Sequence, residues 1–170
     1  GHSHILAGTI PNCVSYDPCF GYELAVIVHD GLKRMYQDQE RVFYYLTVMN
    51  ENYEHPAMPE SLDGGKSVEE GIRRGIYLFE KDDNATVQLL GSGVILREVI
   101  KASKILREEY QIHSNVWSVT SFSELARDGM ACEEYNRNHP LSDEPKESWL
   151  SQQMRLYHGT VVAATDHMRM

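Results

Sequence analysis

The sequence predicts an α/β protein with a mostly parallel sheet, divided between two incomplete or abutting units. Runs rich in aromatic and β-branched residues alternate along the chain with segments whose apolar residues recur at helical spacing. In the second half the connections between these segments are short, which favours right-handed crossovers between parallel strands. We expect the boundary between the two units near residues 80–85.

The first unit begins with an apolar, β-branched run over residues 10–16, which predicts a strand or an extended segment. Asp17-Pro18 then resembles a helix start, because Asp can cap free N–H groups and Pro suits the first helical turn. Apolar residues at helical spacing continue that helix to residue 36. Residues 42–49 (VFYYLTVM) have almost no polar interruption and predict a strand buried on both faces.

A polar segment rich in Pro and Gly, residues 50–66, predicts a linker or excursion. Its insertion-like part, residues 61–67, lengthens it further. Ser67 and Glu70 have the spacing of a capping box and predict a short helix. Residues 76–80 then predict a short strand.

The second unit has the plainer alternation. Its expected elements are, in order, a strand over 86–90, a Gly-Ser-Gly turn at 91–93, a helix to about 109, a strand over 116–119, a helix from 121 to 135, a short helix over 148–157 and a strand over 160–165. The chain ends just after that strand, where a complete doubly wound domain would add a helix. Only one strand and one helix precede the first buried strand, so we expect both ends of the sheet to be unfinished.

Composition excludes several classes of function. Hydrophobic residues make up 42% of the chain and charged residues 24%, which is ordinary for a soluble globular protein. The formal net charge of −9 argues against nucleic acid or an anionic membrane as a partner. No apolar run approaches the length of a bilayer span. The three cysteines are odd in number and lack C-x-x-C spacing, so we expect reduced thiols and a cytoplasmic protein.

Two sequence features are candidates for ligand binding. One is the Gly-Ser-Gly turn of the second unit, and the other is the polar segment that follows the buried strand of the first unit. Gly91-Ser92-Gly93 lies between a strand and a helix, where backbone N–H groups can hold phosphate, but a dinucleotide fingerprint needs a third glycine. A tight structural turn is the favoured interpretation. Residues 50–56 follow a buried strand at the edge where open sheets bind ligands. The alternative there is that they cap the strand and begin the linker.

His2 and His4 are a further candidate pair. In an extended segment both would point to one side, and histidine can donate to a carboxylate or exchange protons near neutral pH. The alternatives are a disordered terminus, residues left over from cloning, or a surface pair. A metal site would need a third ligand, and the other six histidines are scattered without zinc-like spacing.

Several long strings carry a family resemblance. The most distinctive are NENYEHPAMPE at residues 50–60 and SVTSFSELARDG at residues 118–129, and the likeness is nearly continuous from residue 1 to about 141. With these strings the chain resembles the homodimeric bacterial decarboxylating component of pyruvate dehydrogenase. The resemblance implies a transketolase-like fold. Residues 1–80 would end the middle, pyrimidine-binding domain, 81–85 would be a linker, and 86–170 would begin the C-terminal α/β domain.

The resemblance also implies an activity for the complete enzyme. Such enzymes decarboxylate pyruvate with thiamine diphosphate and Mg²⁺, then pass the two-carbon unit to a lipoyl group on the dihydrolipoyl acetyltransferase core. The GDG…N motif by which the family holds the cofactor does not occur here, and its activating glutamate would lie upstream of Gly1. We therefore expect no cofactor to bind this chain alone and the chain alone to be inactive.

Within the family, His4 of the string GHSH matches a histidine that faces bound substrate in related transketolases. The resemblance therefore favours His4, with His2 second, as donors to the substrate carboxylate or to the reaction intermediate. It implies a second copy of the chain and the acetyltransferase core as partners. Two alternatives remain at this stage: a stand-alone anion- or nucleotide-binding module using residues 91–93, and a subunit-interaction domain.

Overall fold

The computed structural model describes residues 1–60 and 67–168. Its helices are α1 (Ser3–Gly8), α2 (Gly21–Leu32), α3 (Val68–Arg74), α4 (Ile95–Tyr110), α5 (Phe122–Asn138) and α6 (Trp149–Met154), and α2 continues into a π-helical turn over Lys33–Gln37. Its strands are β1 (Cys13–Tyr16), β2 (Phe43–Leu46), β3 (Tyr77–Glu80), β4 (Val87–Gly91), β5 (Ser114–Ser118) and β6 (Thr160–Ala164). None of these helices is long and apolar enough to cross a bilayer. Most of the insertion-like stretch, residues 61–66, lies outside the described residues.

The strands form two sheets. In the first, β1 and β2 pair in parallel, with Cys13 opposite Phe43 and Tyr16 opposite Leu46. The second has the order β3-β5-β4-β6, and β4 runs parallel to both β5 and β6. The predicted mostly parallel α/β architecture is therefore confirmed. The exception is β3, which pairs antiparallel to β5 and so adds residues 77–80 to the second sheet.

The strand predicted over residues 42–49 differs from expectation. It spans only Phe43–Leu46, and it is not buried on both faces: Phe43 is 44% exposed and the three following residues are partly exposed. Among the described strands, β2 pairs only with β1 and is an edge strand. A continuous apolar run shows that a strand is hydrophobic, but it does not show whether both faces are covered.

The helix that was expected to start at Asp17-Pro18 starts at Gly21 instead. Its cap comes from inside the helix, because the carboxylate of Glu23 accepts from the backbone N–H groups of Cys19 (2.6 Å) and Phe20 (2.9 Å). Asp17 lies outside the helix, so its carboxylate is free for other contacts.

The two predicted capping boxes gave correct helix starts. The Ser67 hydroxyl accepts from the N–H of Glu70 at 3.1 Å, and the Ser121 hydroxyl accepts from the N–H of Glu124 at 3.0 Å. These hydroxyls satisfy N–H groups that have no partner within the first turn.

Glu23 also joins α2 to the second sheet. Its side chain is fully buried, and besides the two backbone groups it accepts from the Tyr77 hydroxyl (2.7 Å) and the Ser118 hydroxyl (2.5 Å). Tyr77 lies on β3 and Ser118 on β5, so α2 is bonded to two strands of the second sheet. Burial raises the pKa of the Glu23 carboxyl group, and the four donors oppose that shift.

Further hydrogen bonds cross between the two sheets. The Ser121 hydroxyl donates to the carbonyl of Ser15 at 2.6 Å, and the N–H of Asp17 donates to the carbonyl of Thr120 at 2.7 Å. The carboxyl end of β1 is therefore fixed against the residues that follow β5.

We expect Glu23→Ala to lower the free energy of unfolding of this chain by about 3 kcal/mol or more, because it leaves buried N–H and hydroxyl donors without an acceptor. Urea unfolding followed by circular dichroism measures the change. Glu134→Ala, at an exposed position of α5, is the matched control and should change stability by less than about 0.5 kcal/mol. Equal effects of the two substitutions would contradict the role assigned to Glu23.

An exposed apolar stripe runs along α2 into the π-helical turn. Val28 is 42% exposed, Leu32 51% and Tyr36 74%, and the three follow one another at intervals of four residues. On a helix such residues share one side. Contiguous apolar surface of this kind favours association.

We therefore expect this chain to self-associate at micromolar concentration, as sedimentation velocity would detect. Leu32→Glu should shift the distribution towards monomer because it places a charge in the stripe. Ala131→Glu, exposed on α5, is the control and should leave the distribution unchanged. A strictly monomeric wild-type chain would contradict the prediction.

Candidate functional site

The candidate site lies at the carboxyl edge of the strands. Asp17 directly follows β1 and Thr47 directly follows β2. The turn at residues 91–93 ends β4, and residues 165–167 follow β6. Because parallel strands end at the same edge of a sheet, residues far apart in sequence meet here, and ligands of open α/β sheets bind at such edges.

His4 is held at this edge by a chain of hydrogen bonds. It is 9% exposed, and its Nε2 lies 3.0 Å from the Thr47 hydroxyl oxygen. That hydroxyl lies 2.5 Å from Oδ1 of Asp17 and donates to it. A hydroxyl has only one hydrogen, and the carboxylate is the stronger acceptor. We therefore place the ring hydrogen of His4 on Nε2, and this N–H donates to the Thr47 hydroxyl oxygen.

His167 completes the cluster from the far end of the chain. Its Nε2 lies 3.2 Å from Oδ2 of Asp17, and its ring centroid lies 4.4 Å from that of His4. The His167 backbone N–H donates to the Thr165 hydroxyl at 3.2 Å. Asp17 therefore stands between Thr47 on one carboxylate oxygen and His167 on the other.

The surroundings of His4 favour its neutral form. Burial lowers the pKa of His4, and the neighbouring His167 lowers it further, while Asp17 opposes both. Near neutral pH the ring then carries one N–H and one lone pair. It can donate at one nitrogen and accept a proton at the other.

His2 and His4 are not side by side as the sequence pattern predicted. Residues 3–8 form α1 instead of an extended segment, and residues two apart on a helix point in different directions. His4 is buried inside α1, whereas His2 is exposed at the residue before it. The structure thus brings His4, and not His2, to the cluster.

Three members of the cluster were missed from the sequence. Asp17 resembled a helix cap, Thr47 lay inside an apolar run, and His167 was one of several scattered histidines. The only signal available was positional: Asp17 and His167 come directly or shortly after predicted strands, whereas Thr47 lay within one. No local spacing could have linked residues 4 and 167.

Gly91-Ser92-Gly93 proves to be a structural turn. The Ser92 side chain is buried and bonded to the Thr165 hydroxyl at 2.9 Å. A Cβ at Gly93, which has φ +49°, would lie 2.5 Å from the Asp17 carboxylate, and one at Gly91 would lie 2.8 Å from the Cα of Leu96. A carboxylate beside the turn repels anions. The geometry therefore opposes the alternative of a phosphate or nucleotide site here.

The loop over residues 50–56 is docked against the start of α2. The N–H of Gly21 donates to Nδ1 of His55 at 3.0 Å, and the Tyr53 hydroxyl donates to the carbonyl of Cys19. The Arg97 guanidinium lies over the Tyr53 ring at 4.3 Å and bonds to Glu51 at 3.0 Å. These contacts favour the structural interpretation of the loop.

An apolar groove opens next to the cluster between α1 and α5. It has a volume of about 350 Å³. His4 and His167 lie on its wall with Phe122, Met130 and Arg127. The Arg127 guanidinium is engaged by the carbonyls of Cys13 and Ile10 and by Glu124. The groove gives solvent or a small molecule access to the two histidines.

Two family models match the chain. The pyruvate dehydrogenase E1 component middle domain matches residues 1–56, and the transketolase-like C-terminal domain matches residues 75–170. Pyruvate dehydrogenase E1 component of Pseudomonas aeruginosa is 52% identical over 173 residues, which cover 100% of this chain and 19% of the relative. The Escherichia coli K12 protein of the same name is 53% identical and covers 100% and 18%. The chain thus spans about a fifth of the length of these curated relatives.

Solved structures agree on the fold. Transketolase from Leishmania mexicana superposes with a TM-score of 0.66 at 16% identity, over 98% of this chain and 20% of that one. Transketolase from Campylobacter jejuni gives 0.60 at 16% identity, over 96% and 20%. With the match over residues 75–170, these findings show that the chain belongs to the transketolase-like C-terminal domain family and that its whole length is similar to the E1 component of pyruvate dehydrogenase.

Proposed function

We propose that the chain is part of a pyruvate dehydrogenase E1 component and supplies His4 to its active site as a hydrogen-bond donor. The observation that carries this proposal is the fixed position of His4, buried at the carboxyl edge of the strands and held by Thr47 and Asp17. Similarity of about half of all residues over the whole chain to enzymes of that name supports it.

In this proposal the Nε2 hydrogen of His4 is directed at a substrate oxygen. Without substrate, the Thr47 hydroxyl oxygen accepts that hydrogen, 3.0 Å from Nε2, and keeps the His4 ring oriented. A substrate carboxylate is a stronger acceptor than a hydroxyl and would replace it. Pre-orientation matters because a donor held in place costs no reorganisation when charge develops on the substrate.

Thiamine diphosphate with Mg²⁺ is the cofactor that we propose for the complete enzyme, where it would supply the decarboxylation chemistry. The turn at residues 91–93 and the buried Glu23 do not fit the diphosphate or the ion. The turn at residues 91–93 is closed by the Asp17 carboxylate, and the fully buried Glu23 already accepts four protein hydrogen bonds. We therefore assign no cofactor-binding residue and derive no step through the cofactor.

The remaining parts of the proposal concern organisation. We propose that the chain joins the end of a pyrimidine-binding domain to the beginning of a C-terminal domain, that β3 belongs to the latter because it pairs with β5, and that the enzyme is a dimer serving a dihydrolipoyl acetyltransferase core. The exposed stripe on α2 supports a role in subunit contact. The three unpaired cysteines support a cytoplasmic location.

In the complete enzyme we expect His4→Ala to lower kcat by about 100-fold or more, the usual cost of removing one preorganised hydrogen-bond donor. The dissociation constant for thiamine diphosphate should change far less, because His4 acts on substrate. Steady-state kinetics and calorimetric titration of the cofactor measure the two quantities.

His29→Ala is the control for that substitution, since His29 is exposed on α2. It should leave kcat within about twofold. An unchanged rate in His4→Ala would dismiss the role of His4. A loss of kcat of the same size in His2→Ala, with none in His4→Ala, would assign the donor role to His2.

Thr47→Val should lower kcat of the complete enzyme by about 10-fold with little change in KM, because the isosteric side chain removes the hydroxyl that orients His4. Thr47→Ser keeps the hydroxyl and should recover most of the rate. If both variants lose the same activity, packing and not the hydrogen bond accounts for Thr47.

A further inference from the structure

We propose that His4, Asp17 and His167 form a binding site for a divalent transition-metal ion of the zinc type. One ring nitrogen of each histidine and one carboxylate oxygen of Asp17 lie within 4.8 Å of one another. The three residues come from α1, from the end of β1 and from the segment after β6. Only the folded chain brings them together.

The donor set indicates the class of ion. Two imidazole nitrogens and one carboxylate are ligands that Zn²⁺ accepts, and Co²⁺ accepts them as well. Mg²⁺ prefers oxygen ligands in octahedral geometry and retains water. The site should therefore distinguish Zn²⁺ and Co²⁺ from Mg²⁺.

The distances are close to those of a coordinated ion. Two ligands bound tetrahedrally to one Zn²⁺ lie about 3.3 Å apart, given metal–ligand distances of about 2.0 Å. Nε2 of His167 and Oδ2 of Asp17 are 3.2 Å apart without an ion. All three ligand atoms lie within 4.8 Å of one another, so the side chains would have to draw together by at most about 1.5 Å to hold one ion.

The second oxygen of Asp17 supplies the support that metal ligands usually have. Oδ1 accepts the Thr47 hydroxyl at 2.5 Å, so the carboxylate is fixed while Oδ2 faces His167. Groups that hydrogen-bond to ligands in this way set their orientation and strengthen metal binding.

A fourth coordination position is open to the groove. His4 and His167 both lie on the groove wall, so water can complete the coordination of an ion held by the three residues. Three protein ligands and one exchangeable position are typical of zinc sites that react or exchange ligands. The neutral His4 ring has one lone pair for an ion and one N–H for a hydrogen bond, so a bound ion would fix which nitrogen of His4 can donate to substrate.

Calorimetric titration of this chain with Zn²⁺ tests the proposal. We expect one tight site in the wild type and none of comparable affinity for Mg²⁺. His167→Ala and Asp17→Asn should each weaken Zn²⁺ binding by about 100-fold or more, because each removes a direct ligand. Thr47→Val should weaken it by about 10-fold. His29→Ala, a histidine outside the cluster, should bind as the wild type does.

Absorption by bound Co²⁺ provides a second readout. Loss of the visible bands in His167→Gln, in a variant whose thermal unfolding is unchanged, would support ligation by His167. Zn²⁺ affinity that is the same in the wild type, His167→Ala and Asp17→Asn would overturn the proposal, as would equal loss in His29→Ala. These measurements report metal binding and not catalysis. A negative result would therefore overturn the metal site without deciding the kinetic test of His4.

Discussion

The buried carboxylate of Glu23 is the contact on which the arrangement of the molecule depends. A carboxylate removed from water is costly unless every lone pair finds a donor. Glu23 meets this demand with two N–H groups at the start of α2 and with hydroxyls of Tyr77 and Ser118 on the second sheet. These donors can surround one carboxylate in only one position of α2 relative to the second sheet. The interaction therefore fixes where α2 lies on that sheet, as well as stabilising the fold.

The candidate site depends on a separate link between β1 and the second sheet. Asp17 lies six residues before Glu23, and its N–H is bonded to the carbonyl of Thr120, just beyond β5. With β1 fixed against the second sheet, the segment after β6 passes beside Asp17 and delivers His167. The part of the chain similar to the middle domain and the part similar to the C-terminal domain each contribute one histidine. Neither part has the cluster alone.

The sequence predicted those features that depend on neighbouring residues. The capping boxes at Ser67 and Ser121 and the strand–turn–helix around residues 91–93 were predicted correctly, because each depends on groups within a few positions. Two other features were predicted wrongly. Asp17 resembled a helix cap, but Glu23 caps α2 from within the helix, and the exposure of β2 depends on which strands lie beside it.

The histidine pair shows the same division more sharply. The string GHSH predicted His2 and His4 together, since the family resemblance marks the string and does not distinguish its two side chains. The short helix α1 separates the two, and burial selects His4. The His4 ring also lies beside the ring of His167, which is 163 positions away in sequence. A donor to substrate and a metal ligand place the same demand on this ring, namely a fixed orientation beside an anchored carboxylate. The Thr47–Asp17 pair meets that demand for either ligand.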